Sequence, residues 1–394
     1  MLKIKQLIIY IYVRLIKLLL PINDKLIIFK STPDFADNSR ALVEYLIENG
    51  YSNKYTICYI VKEPSFFRSK YKDLPIVFFS PQNDHGFQVL KNLKLLYTAK
   101  YLLSTHEMIL PIEKKRKGQF LIRLWHGCGY KDRSNNDNVK KRKFDLALVP
   151  GKIFIKTKAY FWNVDEQYIM AKGYPRFDWL LKKDPKAILL LNSIMAKDST
   201  KMIIWMPTFR KDKNGKYNDT NHISDFPIVH TAKDWEKLDK ICCENHISLF
   251  IKLHPFQDEY SIPYNKLKNV RCLGSEILDK NDIPLYKIIA LSDALVSDYS
   301  SVAIDYLLLD KPIAYTLDDF NLYKKSRGFV FDDPLKYMPG HHLYNFSDLI
   351  SFIKDVSDNN DIYKYNRNKI REVALTSSTH YCLDILNTLN IRKL

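Results

Sequence analysis

The sequence predicts an α/β chain built from two doubly wound parallel-sheet domains, and three observations carry that prediction. At 394 residues the chain is longer than one hydrophobic core organises, so two domains are expected. Short apolar runs alternate with segments of helical period along most of its length, the pattern of parallel strands joined by crossover helices. One lysine-rich stretch, LLKKDPKAI at 180–188, interrupts the alternation, which then resumes. A hydrophobic content of 46% with 13% aromatics excludes a disordered or fibrous chain.

Residues 1–22 (MLKIKQLIIYIYVRLIKLLLPI) read as an amphipathic helix for a membrane surface. Lys3, Gln6, Tyr10, Arg14 and Lys17 recur at helical spacing as one polar stripe, and Leu, Ile and Val cover most of the rest. Basic residues continue through Lys17 with no small-residue cleavage site, unlike a secretory signal. A membrane span needs about 20 uncharged residues, and this run is interrupted. Such a helix lies in the interface with its cations near anionic headgroups. Packing against its own domain is the alternative, and Pro21 ends it either way.

Residues 23–183 form the expected N-terminal domain. KLIIFKS (25–31), YTICYIV (55–61), PIVFFS (75–80), KYLLST (100–105), FLIRLW (120–125) and FDLALVP (144–150) read as strands. They are apolar on both faces, as a covered parallel sheet requires. ALVEYLIENG and FQVLKNLKLLYTA carry helical period between them, the first closing on Gly50. Residues 184–394 form the expected C-terminal domain, with strands MIIWMP, SLFIKLHP, VRCL, ALVSD and PIAYT and helices over 232–246, 284–292 and 301–309.

Ligands in such sheets bind beyond the carboxyl ends of the strands, and with two domains the cleft between them is the expected site. FLIRLWHG ends at Trp125, His126 and Gly127; MIIWMPTFR reaches Thr208 and Arg210; LFIKLHP reaches His254; DALVSDYSS supplies Ser297, Asp298, Ser300 and Ser301. Taken singly, each has a plain explanation: a satisfied histidine, a surface arginine, a helix N-cap. Together they suit phosphoryl transfer. Amides at a helix N-terminus match the charge on the migrating group, and a guanidinium such as Arg210 grips two phosphate oxygens. One imidazole, with an ordinary pKa of about 6.5, can take the proton of an attacking hydroxyl. A second can neutralise or protonate the leaving phosphate. No P-loop and no glycine-rich dinucleotide fingerprint is present.

A net charge of +17 implies a polyanionic partner: nucleic acid, an anionic membrane or a phosphate-rich polymer. The basic clusters EKKRKG (113–118) and VKKRKFD (139–145) flank His126, where they would guide an anionic acceptor or the lipid surface. No nucleic-acid fold signature accompanies them, so no nucleic-acid partner is assigned. The six cysteines show neither C-x-x-C nor zinc spacing and read as reduced thiols; Cys128, beside His126, is the one candidate for a reactive thiol. Asp318-Asp319 and Asp332-Asp333 read as turns, and no metal ligands or cofactor are assigned.

LWHGCGYKD (124–132), GYPRFD (173–178), WMPTFRKD (205–212), IKLHPF (251–256) and SDYSSVAIDYLLLDKPIAY (297–315), in this order, resemble the CDP-glycerol glycerophosphotransferases of teichoic acid and capsule synthesis. DNSRALVEYL (37–46) and SRGFVFD (326–332) extend the resemblance over residues 25 to 340, approximately. It implies a GT-B-like pair of Rossmann-type domains, residues 23–183 on the acceptor side and 184–394 on the CDP-donor side, peripheral on the cytoplasmic face of a bacterial membrane. It further implies transfer of a polyol phosphate, glycerol phosphate first, from a CDP-activated donor to a hydroxyl of a lipid-linked or polymeric anionic acceptor, releasing CMP. His126 would be the general base and His254 would contact the donor pyrophosphate. Arg210, Ser297, Asp298, Ser300 and Ser301, with Thr208, would bind the donor; Trp125, Gly127, Lys131 and Arg176 are the acceptor or cleft candidates. A GT-B glycosyltransferase using a nucleotide sugar is the competing enzyme, with Glu107 (beside His106) as the nearest carboxylate base. A non-catalytic module for membranes or nucleic acid is the third possibility.

Overall fold

The computed structural model describes residues 2–81, 83–84, 87–106, 108, 110, 115–131, 144–208, 226–253 and 262–393, with side chains in the first helix from Leu7 onward. The first half holds seven strands: β1 (Asn23–Lys30), β2 (Thr56–Ile60), β3 (Ile76–Phe79), β4 (Ala99–Ser104), β5 (Phe120–Arg123), β6 (Leu146–Val149) and β7 (Ile169–Ala171). All pair in parallel, in the order β3-β2-β1-β4-β5-β6-β7. The second half holds β8 (Lys201–Trp205), β9 (Ile247–Ile251), β10 (Val270–Cys272), β11 (Ala294–Ser297), β12 (Ile313–Thr316) and β13 (His341–Leu343), also parallel, in the order β10-β9-β8-β11-β12-β13.

The runs expected to be apolar on both faces are buried on both: Leu26 to Phe29 and Ile247 to Ile251 have almost no exposure. Each sheet grows outward from its first strand and then reverses to the other side of it. The reversals fall between β1 and β4 and between β8 and β11, where a doubly wound sheet leaves its crevice. One hydrophobic core runs from Leu26 and Ile122 of the first sheet to Leu295 and Tyr315 of the second, so the halves share an apolar interface. Two strands lie outside the sequence expectation: β7 and β13, each three residues long and each at a sheet edge.

The helix Leu2–Leu19 combines both readings of the N-terminus. Val13 and Ile16 are buried, and Ile9 and Tyr12 pack partly, with the helix lying against the helix Phe87–Thr98. Leu7, Ile8, Ile11, Leu15, Leu18 and Leu19 face outward as an exposed apolar stripe. Tyr10, Arg14 and Lys17 lie along its flank, Arg14 donating to the Tyr10 hydroxyl at 2.7 Å and Lys17 resting over the Tyr97 ring. Arg116, part of the basic cluster expected to guide an anionic acceptor or the lipid surface, instead caps this helix: its Nη2 donates to the Leu20 carbonyl at 2.8 Å.

The chain crosses between halves twice. It leaves the first half after the helix Phe177–Leu181 and returns near Thr376, whose amide donates to the Pro150 carbonyl at 2.7 Å. The final helix, Tyr381–Thr388, then docks on the first half, its first amides accepted by the Asp178 carboxylate at 2.7 and 3.0 Å. The division at 183/184 therefore separates the two sheets but leaves the last helix packed with the first of them.

Candidate active site

The strand β5 ladder runs one residue past the strand, Leu124 N–H donating to the Ser104 carbonyl at 2.7 Å, and then Trp125 turns the chain at φ +60°. A bulky residue in the left-handed region is strained, and what holds it there is visible. The Trp125 carbonyl accepts from Asn38 Nδ2 at 2.9 Å, and its ring meets Trp162 edge-on with centroids 4.9 Å apart. The turn lifts the His126 ring off the sheet and onto His106, which follows β4. The two imidazoles stack nearly parallel, centroids 4.3 Å apart and planes 8° off. His126 is partly exposed, and His106 Nδ1 lies 3.0 Å from Thr105 Oγ1.

The glycines that follow are explained by a close approach. Gly127 sits at φ +135°, and a Cβ built there falls 2.8 Å from the Ser301 Cβ and collides with its hydroxyl. A Cβ on Gly129 falls 2.8 Å from the Ser301 amide nitrogen. The segment carrying His126 therefore runs directly against the start of the helix Ser301–Tyr306 in the second half. Beyond it, Lys131 bridges to Phe329 in antiparallel fashion, the Val330 amide donates to the Tyr130 carbonyl at 2.9 Å, and the Tyr130 hydroxyl donates to the Tyr337 carbonyl at 2.8 Å. Two stretches far apart in sequence, GYK and SRGFVFD, are thus one contact.

In the second half, β8 and β11 are neighbours, so their carboxyl ends bring Thr208 and Asp298 together. The Thr208 amide donates to Asp298 Oδ2 at 2.7 Å and its hydroxyl to Oδ1. Asp298 is fully buried. Its carboxylate would repel a phosphate; its service is to fix the strand-end backbone. Ser297 is likewise buried and donates to the Met206 carbonyl at 2.9 Å, so this hydroxyl is structural and does not point at a donor. Ser300 caps its helix by accepting from the Val302 amide, and Ser300 and Ser301 remain partly exposed. Thr208→Val is expected to cost about 1–3 kcal/mol by removing the hydroxyl's hydrogen bond to the buried Asp298 carboxylate, read as a lowered denaturant midpoint.

Arg176 departs most from its expectation. It is 3% exposed and presents nothing to an acceptor: Nη1 donates to Asp37 at 2.5 Å and to the His126 carbonyl at 3.1 Å, and Nη2 donates to Asp305 at 2.5 Å. Asp37, Asn38 and Asp305 were not among the sequence candidates, although DNSRALVEYL was noted for its resemblance. Cys128 is fully buried, accepts from the Tyr174 hydroxyl at 3.3 Å, and burial pushes its thiol up, the setting of a packing cysteine. Arg210, His254 and Glu107 lie outside the described residues, as do most of the basic clusters; of these, Lys115 pairs with Asp145 at 2.8 Å. β9 lies beside β8, and the residue after it, Lys252, is buried with its ammonium on the Leu253 carbonyl and Ser275 hydroxyl. Burial lowers the pKa of that lysine. Among the described residues no cluster of His, Cys, Asp and Glu is arranged to hold a metal.

Known proteins match this arrangement. The chain is 28% identical over 362 residues to the teichoic acid poly(glycerol phosphate) polymerase of Bacillus spizizenii, covering 84% of each. It is 25% identical over 340 residues to the teichoic acid glycerol-phosphate primase of Bacillus subtilis, covering 81% of each. A solved structure of the wall teichoic acid polymerase TagF superimposes with a TM-score of 0.73 at 18% identity, over 98% of this chain and 96% of that one, which establishes the GT-B-like pairing of two Rossmann-type domains. A family model described as CDP-glycerol:poly(glycerophosphate) glycerophosphotransferase matches residues 12–377, and with the imidazole pair, the glycine approach and the two doubly wound sheets already in view, the chain belongs to that family of transferases.

Proposed function

We propose that the chain transfers glycerol phosphate from CDP-glycerol to a hydroxyl of a growing or lipid-linked teichoic acid, with His126 as the general base. The acceptor oxygen attacks the phosphorus bearing glycerol, its proton passes to the imidazole, and the bond to the bridging oxygen breaks so that CMP leaves with it. The observation that carries this reading is the approach of the His126 segment, through Gly127, to the Ser301 turn of the opposite half. A proton acceptor and a donor-side turn then share one edge of the crevice, as in-line displacement needs. Ser300, Ser301 and Thr208, with Arg210 and His254 from the adjoining strand ends, are the donor-side groups in this proposal, and Lys131 is an acceptor-side one. The experiment is to supply CDP-glycerol, CDP-ribitol and a nucleotide sugar in turn and follow acceptor-dependent CMP. A nucleoside diphosphate released instead, with no phosphate transferred, would establish the glycosyltransferase alternative.

We also propose a peripheral seat on the membrane through the outward stripe of the first helix. No described helix is long and apolar enough to cross a membrane. Six large apolar side chains on one face, flanked by Arg14 and Lys17, suit an interface with anionic lipid. Because Val13 and Ile16 are part of the core, removing the helix would open the domain, so the clean test leaves it in place. Ile8→Glu, Ile11→Glu and Leu15→Glu combined should lower co-sedimentation with anionic vesicles about tenfold or more, since each seated apolar side chain contributes roughly 1.5–3 kcal/mol. Undiminished sedimentation would overturn the assignment.

A further inference from the structure

We infer that Arg176 is a positioning residue for the transfer step: its guanidinium fixes the backbone of His126 against the helix that begins at Ser301. The inference rests on the reading of His126 as the base. The side chain stands where three elements converge. Asp37 opens the helix Asp37–Glu48 after β1, the His126 carbonyl belongs to the turn after β5, and Asp305 lies one turn into the Ser301–Tyr306 helix of the other half. The backbone joins in: the Arg176 amide donates to Asn38 Oδ1 at 3.1 Å, and Asn38 Nδ2 donates to the Trp125 carbonyl. The carbonyls of Trp125 and His126, the two residues that turn the chain, are therefore both held by the Asn38–Arg176 pair.

The bonding pattern favours placement over strength. An arginine fork frequently lies on one carboxylate in two parallel bonds. Here the fork is split, Nη1 going to the first half and Nη2 to the second. Arg176 Nε and Asp305 Oδ1 are buried with no partner among the described residues. The Tyr286 hydroxyl closes the group by donating to Asp305 Oδ2 at 2.5 Å, and its ring lies under the guanidinium at 4.4 Å. Burial lowers the pKa of Arg176, but Asp305 and Asp37 more than offset it, so the group stays cationic. Since Ser301 touches Gly127 on the same helix that carries Asp305, a shift of this cation moves the base relative to the donor side. Misplacement of about 1 Å in a reacting group costs about 100-fold in rate.

The test is steady-state kinetics on the full chain with CDP-glycerol and an acceptor analogue. Arg176→Lys keeps the charge but cannot span two carboxylates and a carbonyl. It should lower kcat about 100-fold while the KM for CDP-glycerol stays within about threefold, the signature of an interaction expressed in the transition state. Asp305→Asn should act in the same direction, and the two combined should lose less than the product of their separate effects. A purely structural role would instead lower the amount of folded enzyme with kcat per folded molecule unchanged, and that result overturns the inference. So does a donor KM that rises in step with the loss. Should Arg176→Lys fail to fold, Asp37→Asn decides: a kcat lowered about tenfold at constant KM supports the inference, and a wild-type kcat overturns it. The wild-type chain measured alongside separates the two levels. No acceptor-dependent CMP from it defeats the functional reading and this inference with it, whereas normal turnover in both wild type and Arg176→Lys defeats this inference alone.

Discussion

His126→Ala is expected to lower acceptor-dependent CMP release by roughly 10²- to 10⁴-fold, the range that a positioned general base supplies. Stability should hardly change. The ring is partly exposed, and it stacks on His106 and lies against the ring of Trp125 rather than filling a core position. Donor affinity, measured by titrating CDP-glycerol without acceptor, should stay near wild type because the ring belongs to the first half. His106→Ala, assayed in parallel, reports which member of the imidazole stack takes the proton. A loss confined to His106→Ala, with His126→Ala turning over normally, would remove His126 from the chemistry.

Gly127→Ala should be nearly as damaging, for a different reason. At φ +135° any side chain is strained, at about 1–3 kcal/mol. The added methyl also meets the Ser301 side chain and comes within 3.2 Å of Arg176 Nη2, an overpacking cost of about 1–3 kcal/mol more. The chain can relieve both only by backing the His126 segment away from the Ser301 helix, so kcat should fall about 100-fold together with the denaturant midpoint. Gly129→Ala separates the two causes: its backbone is not in the left-handed region, and the added methyl meets only the Ser300–Ser301 backbone. Wild-type stability and turnover in Gly127→Ala would mean that the two halves do not meet at this loop.

The buried strands were legible because each is a short apolar run that stops at a polar residue. His126, Thr208 and Ser297 could be located that way, since a strand end needs only local sequence to define it. β7 and β13 were not, because Ile169–Ala171 and His341–Leu343 are edge segments too short to show a period, formed by the neighbour they pair with. What each strand-end residue does was less visible than where it is. Ser297 and Asp298 read as phosphate ligands, yet Ser297 donates to the Met206 carbonyl and Asp298 accepts from Thr208 across the β8–β11 junction, a partnership set by sheet order. Arg176 looked like a cleft cation because its partners, Asp37 and Asp305, lie 139 and 129 residues away. The first helix showed its polar stripe in sequence, but only the packing of Val13 and Ile16 reveals which apolar face is left over.

The double crossing of the chain has a mechanical consequence. Two lobes joined by a single tether could slide or swivel freely, but here the passage before Pro185 and the return at Thr376 both span the gap. Covalent lengths at two points forbid free swivelling and reduce any relative motion of the lobes to a swing about the line between them, like a door on paired hinges. Any such swing would retrace one arc and bring the lobes back to the same alignment.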